Sequence, residues 1–170
     1  MSAAIVVVMG VSGCGKSTLG HALAKALGVG YLEGDDLHPR QNVERMAAGI
    51  ALTDDDRQGW LQAIAERLAM ATSKGQGLVV SCSALRRSYR NLLRAAAPGL
   101  RLVHLTGSPA LLGERLAQRS GHYMPAALLQ SQLSTLEQPD ADEHAIEIDM
   151  AEPLLDQLAQ ARQALAAGLA

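Results

Sequence analysis

Residues 10–17 read GVSGCGKS, a full match to the spacing GxxxxGK[ST], set between the β-branched run AAIVVVM (Ala3–Met9) and a segment with helical spacing. Glycines in such a turn let successive backbone N–H groups face inward, and the start of the following helix adds a partial positive charge. A loop of this kind holds phosphate oxygens. The strand before it is apolar at every position, so it belongs in the centre of a parallel sheet buried on both faces.

The same logic assigns nucleotide contacts to Gly10, Val11, Ser12, Gly13, Cys14, Gly15, Lys16, Ser17 and Thr18. Lys16 is expected to reach the β- and γ-phosphates of ATP, and the Ser17 hydroxyl to ligate Mg²⁺. Cys14 reads as a small residue tolerated in the loop rather than as a nucleophile.

Further short apolar runs occur at Gly30–Leu32, Leu78–Cys82, Leu100–Thr106 and Ala145–Asp149. Helical spacing predicts helices over Lys16–Leu27, Pro39–Ala48, Asp54–Thr72, Ser88–Ala96, Pro109–Arg119, Ala126–Leu136 and Pro153–Ala167. Gly28 follows the first helix, Ser108 is placed to cap the fifth, and Pro109 and Pro153 are placed to open helices. Five strands alternating with helices imply an α/β fold, a three-layer α/β/α sandwich around a five-stranded parallel sheet. With 170 residues and 48% apolar content, one domain spanning 1–170 is expected.

Composition narrows the partners. A formal charge of -2, from 15 Lys+Arg against 17 Asp+Glu, gives no general attraction to nucleic acid or to an anionic membrane. With no Phe, one Trp and three Tyr, stacking platforms for single-stranded nucleic acid are scarce. No apolar run approaches the ~20 residues of a membrane span, no secretory leader is recognisable, and only Cys14 and Cys82 are present. A reduced, cytoplasmic protein acting on a small molecule is the expectation.

The loop alone does not separate a switch, a motor and a kinase. No NKxD-like base-reading motif occurs, no DxxG directly follows an apolar strand, and LVVSC (Leu78–Cys82) ends without an acidic Mg²⁺ residue. Acidic residues instead follow the second strand, in YLEGDDLHP (Tyr31–Pro39), with Glu33 and Asp35 on one side if the segment stays extended. A carboxylate there, Asp35 in preference to Asp36, would orient a hydroxyl nucleophile and accept its proton during phosphoryl transfer.

At this point GVSGCGKST, GDDLHPRQNVERMAAGIALTDDDRQGWL, CSALRRSYRNLLR, RLAQRSGHYM and LEQPDADE, in that order along nearly the whole chain, resemble the gluconate kinase family. The resemblance implies a P-loop NTPase of the nucleoside-monophosphate-kinase-like type, akin to shikimate and adenylate kinases, with a small lid near 120–138. It implies ATP-dependent conversion of D-gluconate to 6-phospho-D-gluconate by a cytoplasmic, usually dimeric enzyme. Ala51 and Gly59 stand where proline is common in the family, Asp36 where an apolar residue is frequent, and Arg45 where lysine is usual.

A sugar acid requires a fixed cation for its carboxylate and directional partners for its hydroxyls. Arg57, Arg86, Arg90 and His38 are the candidates beside Asp35. Arg86 and Arg90 lie four apart at a helix start and are expected to point to the carboxyl edge of the sheet. Arg57 either grips the acceptor or pairs with Asp54–Asp56. Arg115 and Arg119, again four apart, precede GHYMP (Gly121–Pro125), a hinge into the expected lid. The resemblance places Arg115 near adenine, Arg119 near the phosphates as a catalytic cation, and the adenine against Asp149–Pro153. A shikimate-type kinase, a nucleotide kinase and a nucleotide switch without acceptor remain as alternatives.

Overall fold

The computed structural model describes residues 3–119 and 126–168. Its elements run β1 (Ile5–Met9), α1 (Lys16–Leu27), β2 (Gly30–Glu33), a 3₁₀ turn (Gly34–Leu37), α2 (Arg40–Ala47), α3 (Asp54–Ser73), β3 (Leu78–Ser81) and α4 (Arg87–Ala96). They continue through β4 (Arg101–Thr106), α5 (Pro109–Gln118), α6 (Ala126–Thr135), a second 3₁₀ turn (Ala141–Glu143), β5 (Ile146–Asp149) and α7 (Leu154–Ala167). All five strands are parallel, in the order β2-β3-β1-β4-β5.

β1 is central because it is the strand that both faces can bury. Val6 and Val8 enter one core with Leu19, Leu23, Leu112 and Leu165, whereas Ile5, Val7 and Met9 enter the other with Trp60, Ile64, Leu68 and Leu93. Successive side chains of a strand alternate between faces, so one apolar run seals both layers. At roughly 1.5–3 kcal/mol per buried aliphatic side chain, this run is among the heaviest contributors to the fold.

The register sets the functional edge. Val8 lies opposite Ser81 on β3, and Ser81 opposite Glu33 on β2. The carboxyl ends of three strands therefore lie side by side, and the loops leaving them are neighbours.

Two local devices fix what those loops carry. Thr53 and Asp56 form a reciprocal capping box, with Thr53 N–H donating to Asp56 Oδ2 (2.8 Å) and Asp56 N–H to Thr53 Oγ1 (3.1 Å). This starts α3 where Arg57 and Trp60 fall on its inner face. A Cβ on Gly34 would lie 2.3 Å from the Ser81 carbonyl oxygen, so only glycine lets the 3₁₀ turn press against β3.

That turn corrects one expectation: the chain does not stay extended past Glu33, and Glu33 and Asp35 consequently leave the strand in different directions.

The segment before β5 is held by charge. Arg90 is fully buried, donates from Nε (2.7 Å) and Nη2 (2.9 Å) to the two oxygens of Glu143, and caps the carbonyls of Ala84 and Leu85 with Nη1. Arg94 also donates to Glu143. These arginine hydrogen bonds hold the Glu143 carboxyl at about 2, below its ordinary 4.5. Glu143→Gln should therefore cost about 3–5 kcal/mol, since it leaves buried arginine charge uncompensated. As pH falls the unfolded chain takes up this proton first, so the contribution is complete above about pH 4.5 and lost through about pH 2. Urea unfolding across that range should show the pH dependence in the parent and its absence in the variant.

Candidate functional site

The phosphate loop closes on α1 through Gly15, which caps the helix with φ 95°, a backbone that residues with a Cβ rarely adopt. Ser12, Gly13, Gly15, Lys16, Ser17 and Thr18 line a cleft of about 370 Å³ with Asp35, Arg115, Gln118 and Arg119. Gly10, Val11 and Cys14 stand behind that lining, all buried; the Cys14 thiol packs in the core. Lys16 Nζ donates to the Val11 carbonyl at 3.1 Å, folded over the loop. A phosphate oxygen placed there would offer the ammonium a charged acceptor in place of a neutral one.

Beside the loop, Ser17 and Tyr31 hydroxyls both donate to Glu33 Oε2, the latter at 2.7 Å. Burial pushes the Tyr31 phenol up to about 12, so it remains a donor at neutral pH. Ser81 Oγ lies 2.8 Å from the same phenol oxygen and donates to the Lys16 carbonyl at 3.0 Å. The start of α1, the end of β2 and the end of β3 are thus one polar cluster. Ser17 gives its proton to Glu33 and keeps its lone pairs for a cation. A Mg²⁺ ion arriving on nucleotide phosphates needs only one or two protein oxygens, and this cluster supplies that donor set. No group of three or more His, Cys, Asp or Glu able to hold a metal by itself occurs among the described residues.

A second cavity, of about 90 Å³, opens on the other side of Lys16 and Asp35. Its lining includes Ser12, Lys16, Asp35, His38, Arg57 and Trp60. Trp60 Nε1–H donates to the Gly34 carbonyl (2.8 Å), which locks the 3₁₀ turn to α3. His38 stacks on the Trp60 ring, with centroids 4.2 Å apart and planes 14° from parallel. Asn42 Nδ2 donates to the Asp56 carbonyl (2.8 Å) and lies 3.3 Å from His38 Nδ1. The amide nitrogen has only protons to offer, so Nδ1 accepts and Nε2 carries the imidazole hydrogen. Burial lowers the His38 pKa, with Asp35 opposing and Arg57 reinforcing the shift. The imidazole is therefore a neutral donor, its Nε2 4.0 Å from Asp35 Oδ1.

The arginines separate into three situations. Arg57 lines this second cavity, donates to Tyr89 Oη (3.1 Å) and stands 4.0 Å from Asp54 Oδ1. Arg86 does not line that cavity; it sits in an adjoining concavity with Arg57, Asp54, Asp55 and Thr135, its Nε 3.4 Å from Asp54 Oδ1. Tyr89 also donates to Asp54, so one carboxylate gathers the whole group. Arg90 reaches neither concavity. The expectation that it points to the site is corrected: four residues into the chain from Arg86 it turns inward, because Glu143 and two carbonyls satisfy it in the core.

Arg115 and Arg119 both line the phosphate cleft, Arg119 exposed at the end of α5. Arg115 Nη2 donates to the Met150 carbonyl (2.7 Å), which joins α5 to the loop after β5 where adenine was expected. The expected hinge, 121–125, lies outside the described residues; the rest of the expected lid, from 126, begins with α6.

Sequence reasoning passed over Asn42, Tyr89 and Gln132. Asn42 has a weak signal, four residues after His38 on the next helix. Gln132 has none that is local: its Oε1 accepts from Ser12 N–H (2.7 Å) across 120 residues of chain.

Comparison with known proteins bears on this geometry. Residues 5–139 match the family model described as an AAA domain. The chain is 49% identical over 143 residues to the gluconokinase of Gluconobacter oxydans (strain 621H), covering 84% of this chain and 80% of that protein. It is 43% identical over 152 residues to the thermoresistant gluconokinase of Escherichia coli (strain K12), covering 88% and 86%. The crystal structure of a gluconokinase from Sinorhizobium meliloti 1021 superposes with a TM-score of 0.89 at 51% identity, over 97% of this chain and 93% of that one. A parallel sheet with a phosphate loop at its carboxyl edge, an adjoining cavity and these relatives lead to one assignment: the chain belongs to the gluconokinase family.

Proposed function

We propose that the protein transfers the γ-phosphoryl group of ATP to D-gluconate, giving 6-phospho-D-gluconate and ADP. The observation that carries this reading is that Ser12, Lys16 and Asp35 line both the phosphate cleft and the neighbouring cavity. A donor phosphate in the first and a hydroxyl in the second meet at those three residues.

Each role follows from chemistry. Loop amides and Lys16 bind the phosphates and neutralise charge that develops on the transferred group. Asp35, between the two spaces, orients the attacking hydroxyl and takes its proton as the oxygen–phosphorus bond forms and the bond to ADP breaks. The His38 Nε2–H donates to a neighbouring hydroxyl, and Arg57 supplies the cation for the carboxylate, with Arg86 behind it. Arg115 braces the adenine loop, and Arg119 is placed to offset charge on the leaving phosphate. Ser17 and Glu33 would hold Mg²⁺, which shields the phosphate charges when bound.

We read residues 1–170 as one kinase domain. The family resemblance supports a cytoplasmic homodimer; no helix among the described residues is long and apolar enough to cross a membrane. Sedimentation velocity should give twice the 17.9 kDa chain mass, and a monomer at micromolar concentration would count against the dimer.

ADP release assayed against a panel of sugar acids, shikimate and nucleoside monophosphates should respond to gluconate; stimulation by another member alone would reassign the acceptor. Asp35→Asn should lower kcat by ~10²–10⁴-fold with ATP affinity nearly intact, measured by coupled turnover and nucleotide titration. Arg57→Ala should raise the gluconate KM by ~10–100-fold, the loss of charged hydrogen bonds. Arg86→Ala, outside the cavity, should raise it by less than ~10-fold. Equal effects, or the reverse order, would place the carboxylate in the concavity beside Arg86.

A further inference from the structure

The contact between α6 and the phosphate loop has no role in the reading above, on which the following rests. Ser12 N–H is a loop amide at the junction of cleft and cavity, and Gln132 Oε1 accepts from it at 2.7 Å. An amide N–H can only donate, so the orientation of the Gln132 carboxamide is fixed: oxygen on the loop, nitrogen directed elsewhere.

The cavity linings say where the nitrogen is useful. Gln132 lines the acceptor cavity together with Leu128 and Ser131, and none of these three lines the phosphate cleft. Positions 128, 131 and 132 are spaced at one helical turn, and Thr135, one turn further, lines the concavity that holds Arg86. One face of α6 therefore covers the acceptor space from the phosphate junction to the arginines.

The helix is also anchored where it leaves this face. Just past its end, Glu137 N–H donates to the Leu85 carbonyl (2.8 Å), and the Glu137 carboxylate accepts from Arg87 N–H (2.7 Å). Gln132 is thus carried on an element fixed at its C-terminal end to the loop between β3 and α4. Its bond to Ser12 is a side-chain contact over the cavity, separate from that anchor.

We propose that Gln132 is an acceptor-positioning residue: its Oε1 holds the Ser12 amide, and its Nε2 donates to a hydroxyl oxygen of the sugar acid, setting that substrate against the transferred phosphoryl group. The residue is bidentate across the junction, so it couples the acceptor's position to the shape of the loop. Water would satisfy Asp35 equally well, whereas only a polyhydroxylated acceptor would engage both Asp35 and Gln132.

Two variants test this with the intact chain and ATP. Gln132→Glu keeps an oxygen for Ser12 N–H but exchanges the two amide donors for a second carboxylate oxygen facing an anionic substrate. Gln132→Leu removes both functions at similar volume. Both should raise the gluconate KM by ~10-fold or more and lower kcat, with ATP KM within ~2-fold of the parent and an unchanged thermal midpoint. Both should also raise the ratio of ADP released to acceptor phosphorylated, because the acceptor competes less well with water.

Parent-like gluconate KM, kcat and coupling ratio in the two variants would overturn the proposal. So would a rise in ATP KM equal to that for gluconate, which would mark Gln132 as a loop brace alone. If Gln132→Leu fails to fold, Gln132→Glu decides. The acceptor used is the one the parent phosphorylates best in the panel: a response to a different acceptor would overturn the gluconate reading and leave this test intact, and a parent that phosphorylates none would overturn both.

Discussion

The site rests on the register of three parallel strands. Because Val8, Ser81 and Glu33 pair directly across adjacent strands, the phosphate loop, the loop after β3 and the acidic turn after β2 leave the sheet at one level. A slip of β2 by two residues, about 7 Å, would part Glu33 from Ser17. The apolar alternation of β1 prevents smaller slips, since a one-residue shift would exchange the contents of two different cores. The apolar core thus fixes the geometry of the chemistry without contributing a group to it.

With the strands fixed, polar contacts send two carboxylates that are close in sequence to different places. Glu33, the last residue of β2, is drawn to Ser17 and Tyr31. Asp35, one step into the 3₁₀ turn, lies between cleft and cavity with a side chain 70% exposed. A single tight turn, permitted by Gly34 and held by Trp60, converts adjacency in sequence into different surroundings: Glu33 among hydroxyls beside the phosphate loop, Asp35 between cleft and cavity.

What could be read from the sequence was whatever has a local cause. The phosphate loop carries its chemistry in eight consecutive residues, and strands and helices follow apolar period, so β1, α1 and the sheet's parallel character were legible. His38 was legible as a candidate from its place in GDDLHP, and Arg57 from the resemblance to the small-metabolite kinases. Arg90 misled because a cation four residues from another looks alike whether it faces solvent or core. What decides is Glu143, 53 residues away, and no local pattern reports that distance. The path from Glu33 to Asp35 was misjudged for a similar reason: the backbone turns there because of Ser81 and Trp60, neither of which is near in sequence. Gln132 was invisible, since a glutamine on a helix has no preferred partner until the helix is docked.

The protein is acidic overall, with a formal charge of -2, yet its site must hold two anions next to each other. It does so by sequestering its positive charge unequally. Arg87, Arg90 and Arg94 are spent on Asp140, Asp142 and Glu143, far from the reaction in role if not in sequence. Arg57 and Arg86 are left near a shared carboxylate, Asp54, whose interactions with them are at 3.4–4.0 Å rather than at close hydrogen-bond distance. Loose pairs of this kind, part-exposed to solvent, contribute little to stability. If Arg57 and Arg86 bind the acceptor as proposed, such pairs exchange an internal carboxylate for a substrate's at small cost, whereas the buried Arg90 could not leave Glu143 without giving up two charged hydrogen bonds in the core. In that reading binding capacity follows from the looser ion pairs, and the fold keeps its well-made ones for the segment before β5, which has only to stay in place.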